Sequence, residues 1–181
     1  IMTTDTVPKL GSRRFRHQGR QVTVTGMAKG AGMIRPDMAT MLAYLATDAA
    51  VDRGLLQTCL KEAADLSFNA VTVDGDTSTN DTVLILSSGK LGNKAIRESG
   101  PDYSKLERAV TEAATEVAEM IVADGEGATK TVKLIVKGAK TYKDAEKIAR
   151  VLGTSALVKT AFFGEDPNWG RVVMAVGKSG A

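Results

Sequence analysis

Two stretches of the chain place their apolar residues on one side of a helix. In residues 52–69, leucines, alanines and Cys59 recur at helical spacing, and Asp52 is a suitable N-cap. A second stretch, from about Tyr103 to Ala123, has the same period and is followed by a glycine-rich turn. These patterns predict two long amphipathic helices. Shorter helices are predicted from Thr141 to Gly153 and from Asp166 to Val176.

Alternating polar and apolar positions predict strands elsewhere. The predicted strands lie at 21–25, 71–73, 82–86, 131–137 and 155–163, and the one at 82–86 is expected to be buried on both faces. Residues 8–20, rich in arginine and glycine, predict a polar connection or hairpin tip. Residues 38–48 fit either a buried strand or a helix. The predicted fold class is therefore α+β (layered α/β), with a mixed sheet packed with helices.

Composition narrows the class of protein. The chain has 181 residues, 43% of them hydrophobic, which suits one structural domain and excludes a disordered chain. A net charge of +3 is too small to indicate nucleic-acid binding, and no apolar run is long enough for a membrane span. The start has no charged region followed by an apolar stretch, so it is not a secretory signal. With one cysteine, Cys59, and one histidine, His17, a disulfide and a metal site are not expected.

The common nucleophile motifs are absent or incomplete. Lys29-Gly30-Ala31-Gly32 is not a phosphate-binding P-loop, because the lysine precedes the glycines, and no Gly-x-Ser-x-Gly sequence occurs. Cys59 lies on the apolar side of a predicted helix, which predicts a buried, unreactive thiol rather than a nucleophile. Hydroxyl nucleophiles that need no histidine stay possible, and one known form is a threonine that is freed by chain cleavage and uses its own α-amine as the base. Ala39-Thr40 follows a glycine-rich turn and fits this chemistry, but Ala-Thr is a common dipeptide, and by itself it favours a threonine packed in a strand or first helical turn.

Longer motifs distinguish these alternatives. The segment 27–42, MAKGAGMIRPDMATML, resembles the processing site of the ornithine acetyltransferase (glutamate N-acetyltransferase) family. Four further segments resemble the family in the same order along the chain: MTTDTVPK (2–9), DGDTSTNDT (74–82), GEGATK (125–130) and LVKTAFFGEDPNWGR (157–171). Together these five segments cover essentially the whole chain.

The resemblance implies a self-processing enzyme with an N-terminal threonine nucleophile. Cleavage between Ala39 and Thr40 would make residues 1–39 the end of an α chain and residues 40–181 the start of a β chain. Thr40 would carry an acetyl group from N-acetylornithine to glutamate through an acetyl-threonine intermediate. By position, Thr3, Lys29 and Glu126 would bind substrate together with Thr40.

The family also implies its partners. No metal or dissociable organic cofactor is expected, and acetyl-CoA stays open as a second acetyl donor. The α and β chains would form a heterodimer that assembles further. The family's location is the bacterial cytoplasm, or the mitochondrial matrix in fungi, and a cytoplasmic location is expected here. Asp76, Ser78, Asn80 and Asp81 form a polar loop that either lines the site or caps neighbouring backbone, and the capping role is favoured.

Some family features have no counterpart here. The Thr-Gly pair of the family's oxyanion hole lies in a part of the α chain that this sequence lacks, and Thr25-Gly26 is not at the matching position. Further substrate-binding residues would follow Ala181. We therefore expect the sequence to be a central fragment that is inactive alone, since losing one oxyanion donor costs about 10²–10³-fold in rate. Two alternatives stay open: a self-processing amidohydrolase or aminopeptidase, and an unprocessed, inactive binding domain.

Overall fold

The computed structural model describes residues 1–34, 41–76 and 80–181. Their contacts form two compact units, Ile1–Glu126 and Gly127–Ala181. The sequence analysis expects one structural domain and does not predict this division after Glu126. The predicted junction between Ala39 and Thr40 lies outside the described residues, so the boundary at that bond stays a prediction.

The first unit contains a four-stranded sheet. Its strands are β1 (Lys9–His17), β2 (Arg20–Lys29), β3 (Leu42–Thr47) and β4 (Thr82–Ser87). They lie in the order β1-β2-β3-β4; the first two pairs are antiparallel and the β3–β4 pair is parallel. The sheet is therefore mixed, and the predicted α+β class is confirmed.

Two helices pack with this sheet. Helix α1 (Arg53–Leu66) lies in the connection between β3 and β4, as a parallel pair requires. The Asp52 carboxylate caps it by accepting from the N–H groups of Gly54 and Leu55. Helix α2 (Pro101–Ala123) packs against β1, β2 and α1. Its inward side chains are fully buried and form the centre of the hydrophobic core: Leu106, Val110, Ala113, Val117 and Ile121.

A pair of glycines sets how closely α2 approaches the sheet. Gly11 of β1 lies opposite Gly26 of β2 in the antiparallel register. A Cβ at Gly11 would be 2.7 Å from Glu116 Oε2 and 3.2 Å from both the carbonyl oxygen of Ala113 and Val117 Cγ2, all on α2. A side chain here would therefore push the helix away from the sheet.

The predicted connection over residues 8–20 is wrong for most of its length. Residues 9–17 form β1, and the turn consists of Gln18 and Gly19, both with positive φ (49° and 74°). Arg14 and Arg16 are exposed, whereas His17 is buried, so the basic residues alternate with inward positions along a strand. The next strand also runs to Lys29 rather than ending at residue 25.

Two other strand predictions need correction in this unit. Strand β4 was expected to be buried on both faces, but Leu84 is 45% and Leu86 61% exposed. In the described structure α1 packs with β4, and these two leucines point to the uncovered face of the sheet. Residues 71–73 are not in a strand. The ambiguous segment around residue 44 is a strand, β3.

The second unit is helical. Its helices are α3 (Tyr142–Thr154), α4 (Ala156–Phe163) and α5 (Trp169–Lys178), and its small core contains Leu152, Val158 and Ala175. The predicted strand over 155–163 is wrong, because Ser155 caps α4. The strand predicted over 131–137 is also wrong, since these residues pair with no described strand. Helix α5 is capped by Asn168 rather than Asp166. No helix among the described residues is long and apolar enough to cross a membrane.

Candidate active site

Strand β2 ends at the same edge of the sheet at which strand β3 begins. Lys29, the last residue of β2, lies opposite Leu42, the first residue of β3. The two residues that flank positions 35–40, Ile34 and Met41, are both buried. Ile34 and Met41, which flank positions 35–40, are therefore packed at the edge of the sheet where Lys29 lies.

A buried ion cluster supports this edge. The Lys9 ammonium donates to Asp5 Oδ1 at 2.6 Å and to Asp124 Oδ2 at 2.5 Å, and no part of the Lys9 side chain is exposed. The same Asp5 oxygen accepts from the Gly30 N–H at 2.7 Å. The cluster therefore connects the N-terminal segment, β1, the turn after β2 and the end of α2.

The pKa values of both carboxyl groups reflect these contacts. Burial alone would raise the pKa of Asp5, but the hydrogen bonds from Gly30 and Lys9 outweigh it and lower that pKa from 3.8 to about 2. Hydrogen bonds from Lys9 and Thr6 also hold the pKa of Asp124 well below its ordinary value. Both groups are thus ionised at neutral pH, and the cluster has two anions to one cation.

Thr3 is held beside this cluster by its backbone. Its N–H donates to Asp5 Oδ2 at 3.2 Å, on the carboxylate that also binds the Gly30 N–H. The Thr3 residue is exposed. The Thr6 N–H and hydroxyl both donate to Asp124, which keeps the N-terminal segment in place. Thr3 therefore lies near the turn that follows Lys29.

Glu126 reaches the same turn from the end of α2. Its N–H donates to the carbonyl oxygen of Ala31 at 2.7 Å. A Cβ at Gly32 would be 2.9 Å from Glu126 Cδ and Oε2, so the carboxyl group lies directly over this glycine. Glu126 is exposed, and neither it nor the half-buried Lys29 forms an ion pair within residues 1–34, 41–76 and 80–181.

Two aspartates, Asp74 and Asp81, accept hydrogen bonds from backbone N–H groups on either side of residues 35–40. The Asp74 carboxylate accepts from the N–H groups of Met33 and Ile34, the latter at 3.1 Å. Asp81 Oδ1 accepts from the Met41 N–H at 2.7 Å. The expected capping role of the loop is therefore observed for Asp81. Asp74 adds a second contact of the same kind on the upstream flank.

A cavity of about 410 Å³ opens beside Asp81, between α1 and the start of β4. Its wall contains apolar side chains such as Leu60 and Phe68, together with the charged residues Lys61 and Asp65 of α1. Asp81 Oδ2 is buried and has no hydrogen-bond partner in the described part of the chain. Burial raises the pKa of the Asp81 carboxyl, and the hydrogen bond from Met41 opposes that effect.

The structure brings together three of the predicted substrate-binding residues. Thr3, Lys29 and Glu126 come from distant parts of the sequence and converge on the turn at 29–34. Ala39 and Thr40 lie outside the described residues, so their predicted roles, like those of the other three, stay predictions. Sequence reasoning missed the residues that hold this arrangement together: Asp5, Lys9, Asp74 and Asp124.

The remaining reactive side chains lie elsewhere. Cys59 is fully buried on α1, and burial with the nearby charges of Glu107 and Glu62 raises the pKa of its thiol to about 12. It is therefore an unreactive core residue, as predicted. The His17 Nδ1 lies 3.0 Å from Asp102 Oδ2 at the opposite end of β1 from Lys9. Neither residue belongs to the candidate site.

The mixed sheet packed with helices defines an α+β protein. The ArgJ family model matches residues 1–181, so the chain belongs to the ArgJ family. It is 56% identical over its full length to the mitochondrial arginine biosynthesis bifunctional protein ArgJ of Dictyostelium discoideum, covering 41% of that protein. It is also 51% identical to the ArgJ protein of Pseudomonas fluorescens, with 99% of this chain matched to 45% of that one.

A solved structure agrees with this assignment. The crystal structure of the arginine biosynthesis bifunctional protein argJ from Bacillus halodurans superimposes with a TM-score of 0.69 at 40% identity. The match covers 76% of this chain and 65% of that chain. Overall, the chain spans less than half the length of the two relatives named above.

Proposed function

We propose that the protein is a glutamate N-acetyltransferase, also called an ornithine acetyltransferase, which moves an acetyl group from N-acetylornithine to glutamate. The observation that carries this proposal is the convergence of Thr3, Lys29 and Glu126 on the turn at 29–34. This turn leads directly into the segment that contains Ala39 and Thr40. The names of the relatives, arginine biosynthesis bifunctional proteins, agree with the proposal.

Thr40 is the proposed nucleophile after cleavage of the Ala39–Thr40 bond. Its Oγ attacks the acetyl carbonyl of N-acetylornithine, and its free α-amine accepts the hydroxyl proton. That proton then passes to the departing nitrogen, so that ornithine leaves and Thr40 carries the acetyl ester. In the second half, the amine of glutamate attacks the ester, and the proton lost from that amine returns to the Thr40 oxygen. No metal or dissociable organic cofactor takes part in this proposal.

The charges of Lys29 and Glu126 suit these substrates. Ornithine and glutamate share an α-carboxylate, which the Lys29 ammonium would bind. The carboxylate of Glu126 would bind a cationic amine of the substrate. Both proposals are supported by the same fact: neither charge has an ion-pair partner in the described residues. Thr3 would add a hydroxyl contact from the segment held by Asp5.

The proposal extends to assembly and location. Residues 1–39 and 40–181 would belong to an α chain and a β chain that form a heterodimer and associate further. We propose a cytoplasmic location for this protein, although the Dictyostelium relative is named as mitochondrial. Acetyl-CoA would be a second acetyl donor if the word bifunctional in the relatives' names also applies to this protein.

The acetyl-enzyme tests the proposal. The complete protein that carries this chain is incubated with N-acetylornithine alone and analysed by intact mass spectrometry. We expect the fragment that begins at Thr40 to gain the mass of one acetyl group and to lose it when glutamate is added. A Thr40→Ser variant should still be acetylated, whereas Thr40→Ala should not. Loss of the acetyl group to water, with no effect of glutamate, would indicate the amidohydrolase alternative instead.

A further inference from the structure

The cavity of about 410 Å³ between α1 and the start of β4 has the composition of a small-molecule site. Part of its wall is formed by the buried apolar residues Ile34, Met41 and Phe68. Lys61 and Asp65 of α1, which are exposed, also line it. Pockets that bind small molecules have similar volumes and combine apolar walls with a few polar groups that orient the ligand.

Asp81 brings an uncompensated carboxylate to this cavity. Its Oδ1 accepts from the Met41 N–H at 2.7 Å, whereas its Oδ2 is buried and accepts no hydrogen bond from any described residue. Among the residues that the structure describes, no cation forms an ion pair with it. Burial raises the pKa of this carboxyl, since its lost hydration is only partly replaced. A ligand that donates to Oδ2 would supply the missing contact.

The other two charges of the cavity have opposite signs and lie one helical turn apart on α1. Neither Lys61 nor Asp65 forms an ion pair in the described ranges, and Asp65 Oδ1 accepts only from Asn69 Nδ2, at 2.9 Å. An ammonium and a carboxylate at this spacing match the α-carboxylate and α-ammonium of a free amino acid. Leu60 and Phe68 add apolar surface against which a methylene chain can pack.

We propose that this cavity binds an α-amino acid with an aliphatic ammonium side chain, the chemical class of ornithine and lysine. The side-chain ammonium donates to Asp81 Oδ2, and the methylene chain packs against Leu60 and Phe68. The α-carboxylate and α-ammonium face Lys61 and Asp65. The charged residues that line the cavity are two carboxylates and one ammonium, so a ligand with a single net positive charge balances them.

This site is additional to the turn at 29–34. Thr3, Lys29 and Glu126 are not among the described residues that line the cavity. Ornithine is also the product of the proposed transfer, but the inference does not depend on that reaction, because binding is measured without turnover. A ligand at Asp81 Oδ2 would contact the same carboxylate that holds the Met41 N–H.

The test is calorimetric titration of the complete protein that carries this chain with L-ornithine and L-lysine. Norvaline and norleucine have the same chains without the side-chain ammonium, and we expect them to bind about tenfold more weakly or worse. Pentylamine lacks the amino-acid head group and should also bind more weakly than lysine. These comparisons need no variant. Asp81→Asn keeps an oxygen for the Met41 N–H, loses the charge, and should weaken lysine binding by about tenfold or more.

Two further variants locate the bound amino acid. Asp48→Asn is the matched control, because Asp48 also accepts from a backbone N–H, that of Thr23 at 2.9 Å, but does not line the cavity; its affinity for lysine should equal that of wild type. Glu126→Gln should also leave the affinity unchanged. If Glu126→Gln abolishes binding and Asp81→Asn does not, lysine binds at the turn at 29–34 and the inference is overturned.

Three other results would overturn it. They are no binding of either diamino acid, equal binding of norleucine and lysine, and equal binding of pentylamine and lysine, which would remove the contacts at Lys61 and Asp65. Acetyl transfer is assayed separately with the same protein. Its absence would contradict the proposed function and leave the binding result as it stands.

Discussion

The Cα of Gly32 lies against the carboxyl group of Glu126. A Cβ at this glycine would be 2.9 Å from Glu126 Cδ, closer than side-chain atoms approach each other. The contact joins the glycine-rich turn after β2 to the end of α2, where the Glu126 N–H also donates to Ala31. The position of the Glu126 carboxylate therefore depends on the absence of a side chain at residue 32.

The first prediction concerns Gly32→Ala. The atoms that a new methyl group would meet belong to the far end of an exposed, flexible side chain, which moves at little cost. We expect the free energy of unfolding to change by less than about 1 kcal/mol, while KM for the amino-acid substrate rises because Glu126 is displaced. The measurements are urea unfolding and steady-state transfer kinetics. Gly177→Ala, with no neighbouring atom within 4 Å, is the control: it should leave KM unchanged and, because alanine is the better helix former in α5, should stabilise the fold by at most about 1 kcal/mol.

Gly11→Ala should behave in the opposite way. Here the methyl group would meet the Glu116 carboxylate at 2.7 Å, which can move, but also the backbone carbonyl of Ala113 and the core side chain of Val117, each at 3.2 Å. The last two move only if α2 shifts from the sheet, so we expect a loss of about 1–3 kcal/mol in the free energy of unfolding. The same urea measurement checks it, with Gly32→Ala as the comparison. Equal stability of the two variants would mean that the paired glycines do not set the helix position.

The buried ion cluster gives a third prediction. Lys9→Met removes the cation that lies between Asp5 and Asp124, and the charges of the two buried carboxylates lose their ion-pair partner. We expect a loss of about 3–5 kcal/mol in the free energy of unfolding, measured in urea at neutral pH. Lys105→Met is the matched control, because the Lys105–Asp102 pair is exposed and should contribute little. A small effect at Lys9 would show that the cluster is not a structural support.

The pH dependence of stability follows from Asp5. Its pKa is about 2 in the folded protein, below the value of about 3.9 in an unfolded chain. A lowered folded-state pKa means that the ionised form stabilises the fold above pH ~4 and that this contribution is lost as the pH falls towards 2. The difference in free energy of unfolding between wild type and Asp5→Asn should therefore shrink between pH 4 and pH 2. A constant difference across this range would contradict the assignment.

Sequence patterns predicted the long helices well because their residues provide the signals locally. Helix α1 has an Asp52 cap and an apolar stripe, and α2 keeps one apolar side over its whole length. Strand predictions failed where an apolar run fitted both helix and strand, or where a strand needs a neighbouring strand to pair with. The apolar run at 156–163 forms a helix, and the alternating run at 131–137 has no strand to pair with. The arginines of β1 suggested a loop, although they alternate along a strand.

The candidate site was only partly predictable. Lys29, Glu126 and Thr3 were identified through motifs, and their convergence depends on contacts that no local pattern contains. The Lys9 side chain, for example, binds Asp5 and also Asp124, which lies 115 residues after Lys9 in the sequence. Charged residues are mostly exposed, so a fully buried lysine between two carboxylates cannot be inferred from composition or periodicity.

The central claim is that Thr40 becomes a chain terminus, and N-terminal sequencing of the complete, active protein tests it most directly. We predict two sequences, one of which begins Thr-Met-Leu, and a single uncut chain in the Thr40→Ala variant. An enzyme that transfers acetyl groups while its Ala39–Thr40 bond is intact in every molecule would contradict the account.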